Sequence, residues 1–258
     1  MKYEWKATAR VFVPFYIAVM LFALINRVFI SLNVTEGWLV LPAGLSAAGY
    51  VLAILATFAL TVIIMIQRFY KNLLGDEGYL MFTLPVKTWQ NIFAKMIISA
   101  VWIIVSVVVV FGSILLMVAR KGFWSEVKAA FAPVQELIST LNWGSYIVWI
   151  VLGVIIALFS SIVMVYASIA IGQLFSRHKL IASFGAFLAI NTVSQFIESG
   201  LLAVLYAVDP EMFNSVAAVP SDAFFKTLII GIVILNALFG AGCYFVSQHI
   251  LKKRLNLE

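Results

Sequence analysis

RFYKNLLGDEGYLMFTLPVKTWQN, residues 68–91, is the stretch from which the fold is read. It is basic at both edges, with Arg68 and Lys71 at one end and Lys87 at the other. Asp76 and Glu77 stand between Gly75 and Gly78, and the apolar run Tyr79-Leu80-Met81-Phe82 follows. The segments that flank it, about 43–66 and 89–118, are almost entirely apolar. A helix needs about 20 apolar residues to cross the hydrocarbon core of a bilayer. Both flanks exceed that, so the charged break reads as a loop between two membrane spans.

Working outward, four more segments qualify, at about 11–32, 143–171, 180–207 and 224–250. Composition agrees: 64% of the 258 residues are hydrophobic and 11% charged, whereas soluble domains carry about 25% charged residues. So few charges cannot cover a soluble surface. The expected fold class is all-α, a polytopic membrane protein with six transmembrane helices in one domain over residues 1–258. Lys2, Lys6 and Arg10 before an apolar run resemble a signal peptide, but the run outlasts an h-region and no cleavage pattern follows, so a retained first span is expected. Residues 2–10 are predicted to form a short amphipathic helix at the interface, with Tyr3 and Trp5 at headgroup level. Pro14 falls in the first turns of span one, where proline is best tolerated. The link 119–142 carries an amphipathic piece, Ser125 to Leu141, expected to lie flat on the outer interface.

Charge gives the orientation. With the N-terminus in the cytoplasm, the inner side holds Lys2, Lys6, Arg10, Arg68, Lys71, Lys87, Lys95, Arg177, Lys179, Lys252, Lys253 and Arg254. The outer side holds Arg27, Arg120, Lys121, Lys128 and Lys226. Basic residues are favoured in cytoplasmic loops, so both termini are expected inside. The loop at 68–91 and the short basic hinge Gly172–Lys179 are then cytoplasmic, and the acidic link 208–222 faces out.

Within the loop, Gly75 and Gly78 break or cap helices, and Asp76-Glu77 suits the first turn of a following one. Glu77 to Leu84, stopped by Pro85, is expected as a short helix with Tyr79, Leu80, Met81 and Phe82 as its apolar body. Such a helix either docks in a groove on a soluble partner or rests on lipid. The run RFYKNLLGDEGYLMFTLPVKTWQNIFAKM resembles the loop between spans two and three in small bacterial permease subunits of ABC transporters, the type-two exporter permeases. The likeness is strongest over about 66–97 and extends to the whole chain in topology. It implies that Gly75, Asp76, Glu77, Gly78, Tyr79, Leu80, Met81, Phe82 and Pro85 form a coupling helix that fits a cleft in a separate ATPase subunit. It implies a second, smaller contact at Gly172–Lys179 and a re-entrant segment at 208–222. It also implies an assembly of two permeases, identical or sister chains, with two ATPases in the bacterial plasma membrane. The chain carries no G-x-x-x-x-G-K-[ST] phosphate loop of its own. No cofactor is therefore expected in this chain; ATP and Mg would be bound by the partner.

Span five carries the other polar feature. Asn191, Ser194, Gln195 and Glu198 share one helical face, and an acidic residue in a span costs about 2.5–3.5 kcal/mol near its centre on insertion scales. The stripe either lines a translocation path or outer gate, or bonds neighbouring helices together. Depth from the inner edge, roughly 27 Å for Glu198 and roughly 24 Å for Arg27 at 1.5 Å per residue, suggests that these two pair near the outer interface. Thr57, Thr61, Ser99, Ser106, Ser160, Ser161 and Ser168 read as packing contacts, and Gly240 and Gly242 as points of close helix approach.

Other classes find less support. His178 and His249 lie far apart and Cys243 is the single cysteine, so no metal site is expected. The net charge of +6 sits at span ends, which argues against nucleic acid. No Gly-x-Ser-x-Gly or intramembrane carboxylate pair points to an enzyme. A membrane anchor or immunity protein without transport, and a secondary transporter, are the alternatives to an exporter permease; the first predicts a dry, tightly packed stripe, and the second often shows a repeat between halves, which is not seen.

Overall fold

A computed structural model describes residues 2–34, 36–73, 88–119, 122–139, 143–175, 177–208 and 222–253. All regular structure among them is helical: α1 Lys2–Ser31, α2 Val40–Leu73, α3 Thr88–Val118, α4 Phe123–Ser139, α5 Trp143–Gly172, α6 Lys179–Val208 and α7 Asp222–Lys253. Six of these, all but α4, are long and apolar enough to cross a membrane. The protein is a polytopic all-α membrane protein.

The expected boundaries of spans three to five agree with the helices to within a residue or two, and two differences are instructive. The segment 2–10 is not a separate helix but the first turns of α1, which runs unbroken through Pro14. Proline removes one backbone donor, and that is insufficient to break a 30-residue helix. The helix α2 begins at Val40 with Pro42 in its first turn and continues to Leu73. Arg68 to Lys71, expected in the loop, are therefore helical: a charged residue ends a membrane span without ending the helix. The amphipathic link forms the 17-residue α4.

The chain divides into two compact units, residues 1–68 with 97–130, and 69–96 with 131–258. In the first unit, Phe12 stacks on Trp102 with centroids 4.7 Å apart, and with Ile98 they form a buried cluster against Ala9, Tyr16, Ile64 and Val105. A second cluster joins Val19, Ala23 and Tyr50. Hydroxyl pairs tie the same helices together. Tyr16 meets Ser106 at 2.9 Å, Thr61 meets Ser106 at 3.0 Å, and Tyr50 meets Ser113 at 2.8 Å. Asn26 donates to the Ser46 carbonyl at 3.1 Å and accepts from the Ser46 hydroxyl at 3.0 Å. Lipid offers no hydrophobic drive for helices to associate, so such bonds and close packing hold a membrane bundle. The pairings also give directions. Phe12–Trp102 and Tyr16–Ser106 advance together, so α1 and α3 run parallel, while Thr61–Ser106 and Tyr50–Ser113 run in opposite order, so α2 is antiparallel to α3. Successive membrane crossings require this alternation.

The second unit repeats the logic with small residues. Gly153 lies against Val233, and Gly240 against Ser160, an advance of seven residues on both helices, so α5 and α7 run parallel. Ser160 Oγ donates to the Asn236 carbonyl at 2.8 Å. Between them in sequence, α6 is antiparallel: Gly231 of α7 meets Leu201, and Asn236 meets Glu198. The turn into α6 is tight. A β-carbon on Gly172 would sit 2.7 Å from the backbone of Ser183, and His178, immediately before α6, adopts φ +58°.

Candidate functional site

Gly75, Asp76, Glu77, Gly78, Tyr79, Leu80, Met81, Phe82 and Pro85 lie outside the described residues, as does the link 209–221. What is described is how the loop is held at its two ends. The last turns of α2 lead into it, and there the ring of Phe69 stacks on Tyr166 of α5, centroids 4.0 Å apart and 11° from coplanar. Both rings are fully buried. Such a pair contributes about 0.5–1.5 kcal/mol beyond its buried area. On the far side of the loop, α3 begins at Thr88, and Ile92, Lys95 and Met96 are buried within its first three turns. Phe69, Tyr166 and residues 88–96 all belong to the second compact unit. Both ends of the loop are thus anchored in the unit that contains α5, α6 and α7.

The stripe on α6 falls into two pairs. Gln195 donates to the Asn191 side chain at 3.0 Å, one helical turn away. Glu198 accepts from Ser194 at 3.4 Å and from Asn236 of α7 at 3.5 Å. Asn236 was not singled out from the sequence. An asparagine within the apolar run IVILNALFG of span six is a visible signal, but that it faces Glu198 depends on the α6–α7 register, which no single helix encodes. None of the described side chains of α6 is buried, and Gln195 is exposed. The stripe is therefore not sealed by packing within the chain.

Glu198 and Ser194 line a cavity of about 150 Å³ with Leu238 and Phe239. A larger apolar groove of about 410 Å³ adjoins it between α5, α6 and α7. Arg27 belongs to the first unit, where it donates to the Leu116 carbonyl at 3.2 Å; Glu198 belongs to the second. Of the two glycines expected at close approaches, Gly240 meets Ser160, whereas a β-carbon on Gly242 would meet nothing within 4 Å. The expected packing hydroxyls Thr61, Ser106 and Ser160 do bridge helices, while Ser161 and Ser168 bond back to their own helix. Among the described residues no three His, Cys, Asp or Glu side chains gather in one place. No protein-family model matches this chain, nor does any curated protein or solved structure.

Proposed function

We propose that this chain is the membrane-spanning permease subunit of an ATP-driven ABC exporter in the bacterial plasma membrane. The observation that carries the reading is the segment GDEGYLMFTLP, residues 75–85, set between two long apolar helices and resembling the coupling segment of type-two exporter permeases. The bias of basic residues places it on the cytoplasmic side. Two structural features support a transmitting role for it. The loop is anchored at both ends in one compact unit, and that unit also contains the polar stripe of α6. A push on the loop would then reach α5 through the Phe69–Tyr166 stack rather than dissipate in a free tether.

In this reading the chain hydrolyses nothing itself. ATP binding closes a dimer of separate ATPase subunits, residues 75–85 convey the motion, and substrate leaves at the interface of two permeases, identical or sister. The substrate class suggested by the resemblance is peptide or antibiotic-like. A dry anchor or immunity protein is less favoured, because Gln195 of the stripe is exposed rather than packed.

A cysteine placed at Leu80, with Cys243→Ser removing the native thiol, tests the contact. In native membranes a maleimide–benzophenone attached to it is expected, on irradiation, to join it to a soluble protein whose peptides contain a G-x-x-x-x-G-K-[ST] motif. Adducts with lipid alone, or with no ATPase, would contradict the proposal.

A further inference from the structure

The groove between α5, α6 and α7 is lined by Ala167, Ala189, Val193, Leu238, Gly242 and Cys243. Its volume of about 410 Å³ falls within the roughly 300–1,000 Å³ of ordinary ligand sites. Leu238 and Phe239 also wall the smaller cavity that holds Glu198 and Ser194, so the two adjoin and are taken together as one recess. From Ala189 to Glu198 along α6 is roughly 14 Å at 1.5 Å per residue. The recess is long, apolar for most of that length, and acidic at one end.

Two details point to a ligand rather than to packing alone. Gly242 contributes nothing to helix approach, since a β-carbon there would meet no atom within 4 Å; what the missing side chain keeps open is the groove. The Glu198 carboxylate has about four acceptor positions and holds two long bonds, at 3.4 and 3.5 Å, both at the outer limit of hydrogen-bond geometry. A carboxylate in a membrane span is costly unless paired.

We propose that this recess binds a single-chain amphiphile bearing a cationic amine, with the ammonium at Glu198, Asn236 and Ser194 and the tail along Leu238 to Cys243. An ammonium supplies the donors and the charge that Glu198 lacks. An anionic phospholipid would instead bring a phosphate against the carboxylate, and like charges in contact are strongly disfavoured. An uncharged chain would leave the carboxylate as it is. The site is a property of the second unit and is read without any ATPase, so its failure and that of the exporter reading are separable.

The test uses the full chain in phosphatidylcholine nanodiscs with a photoreactive dodecylamine, its diazirine near the tail end, beside the matching dodecanol. Adducts mapped by mass spectrometry are expected at residues 189–193 and 238–246. The amine should label these about fivefold more than the alcohol, in line with one partly exposed ion pair. Glu198→Gln should bring that ratio to about one, leaving alcohol labelling unchanged, and Gly242→Leu should reduce labelling by both probes. Equal labelling of the wild type by amine and alcohol, adducts spread over the lipid-facing helices, or an amine preference that survives Glu198→Gln would each overturn the proposal. The wild-type ratio and adduct map decide it even if a variant fails to fold.

Discussion

At the scale of single residues, what holds this protein together is close contact where a side chain is missing and hydroxyl pairs where one is polar. Gly172 shows the first. An alanine β-carbon there would lie 2.7 Å from the Ser183 backbone, an atom that cannot swing aside, so the helices α5 and α6 would have to part. Gly172→Ala is expected to destabilise by about 1–3 kcal/mol, the range for overpacking. Gly185→Ala, in the facing helix α6 and with nothing within 4 Å, is expected to be neutral or to stabilise by up to about 1 kcal/mol through helix propensity. Heating each variant in detergent and measuring the monodisperse fraction by size exclusion checks both. Tyr50 and Ser113 show the second device. A double-mutant cycle of Tyr50→Phe and Ser113→Ala is expected to yield a coupling of about 0.6–1.7 kcal/mol, the span found for hydrogen bonds between membrane helices. A coupling near zero would mean that the 2.8 Å contact holds no more than its alternatives.

At the scale of elements, the spans were legible because bilayer thickness sets a length that apolar runs either reach or do not. Their ends were less so. The reading stopped α2 near residue 66, where charge returns, yet the helix continues to Leu73, because helical hydrogen bonding is indifferent to whether the surroundings are lipid or water. Those extra turns matter, since they bring Phe69 onto Tyr166. The polar stripe of α6 was legible as a face, from spacing alone. Its partner Asn236 was not, because which residues of two helices meet is a property of their register. Orientation belongs to this scale as well. Single cysteines at Lys128 of α4 and at Arg177 of the hinge, in a Cys243→Ser background, are expected to react oppositely with a membrane-impermeant maleimide added to intact cells. Lys128→Cys should label and Arg177→Cys should not until the membrane is opened. The reverse pattern would invert the topology and remove residues 75–85 from the cytoplasm.

At the scale of the whole molecule, the helix pairings inside each unit alternate in direction as successive crossings must, with α1 parallel to α3 and α5 parallel to α7. That pattern supports six crossings independently of hydropathy. The proposed function rests on the loop at 68–91, whose residue types suit docking and whose described ends belong to the unit that carries the stripe. The central claim is therefore that this loop engages an ATPase. The most direct measurement is purification of the tagged chain from native membranes in mild detergent, wild type beside a Tyr79→Ala/Leu80→Ala/Phe82→Ala variant. A soluble ATPase that accompanies the wild type in near-equal amount, and falls at least about tenfold with the variant, a loss of about 1.4 kcal/mol or more, is the predicted result. Absence of any ATPase from both preparations, or equal recovery with both, would contradict the account.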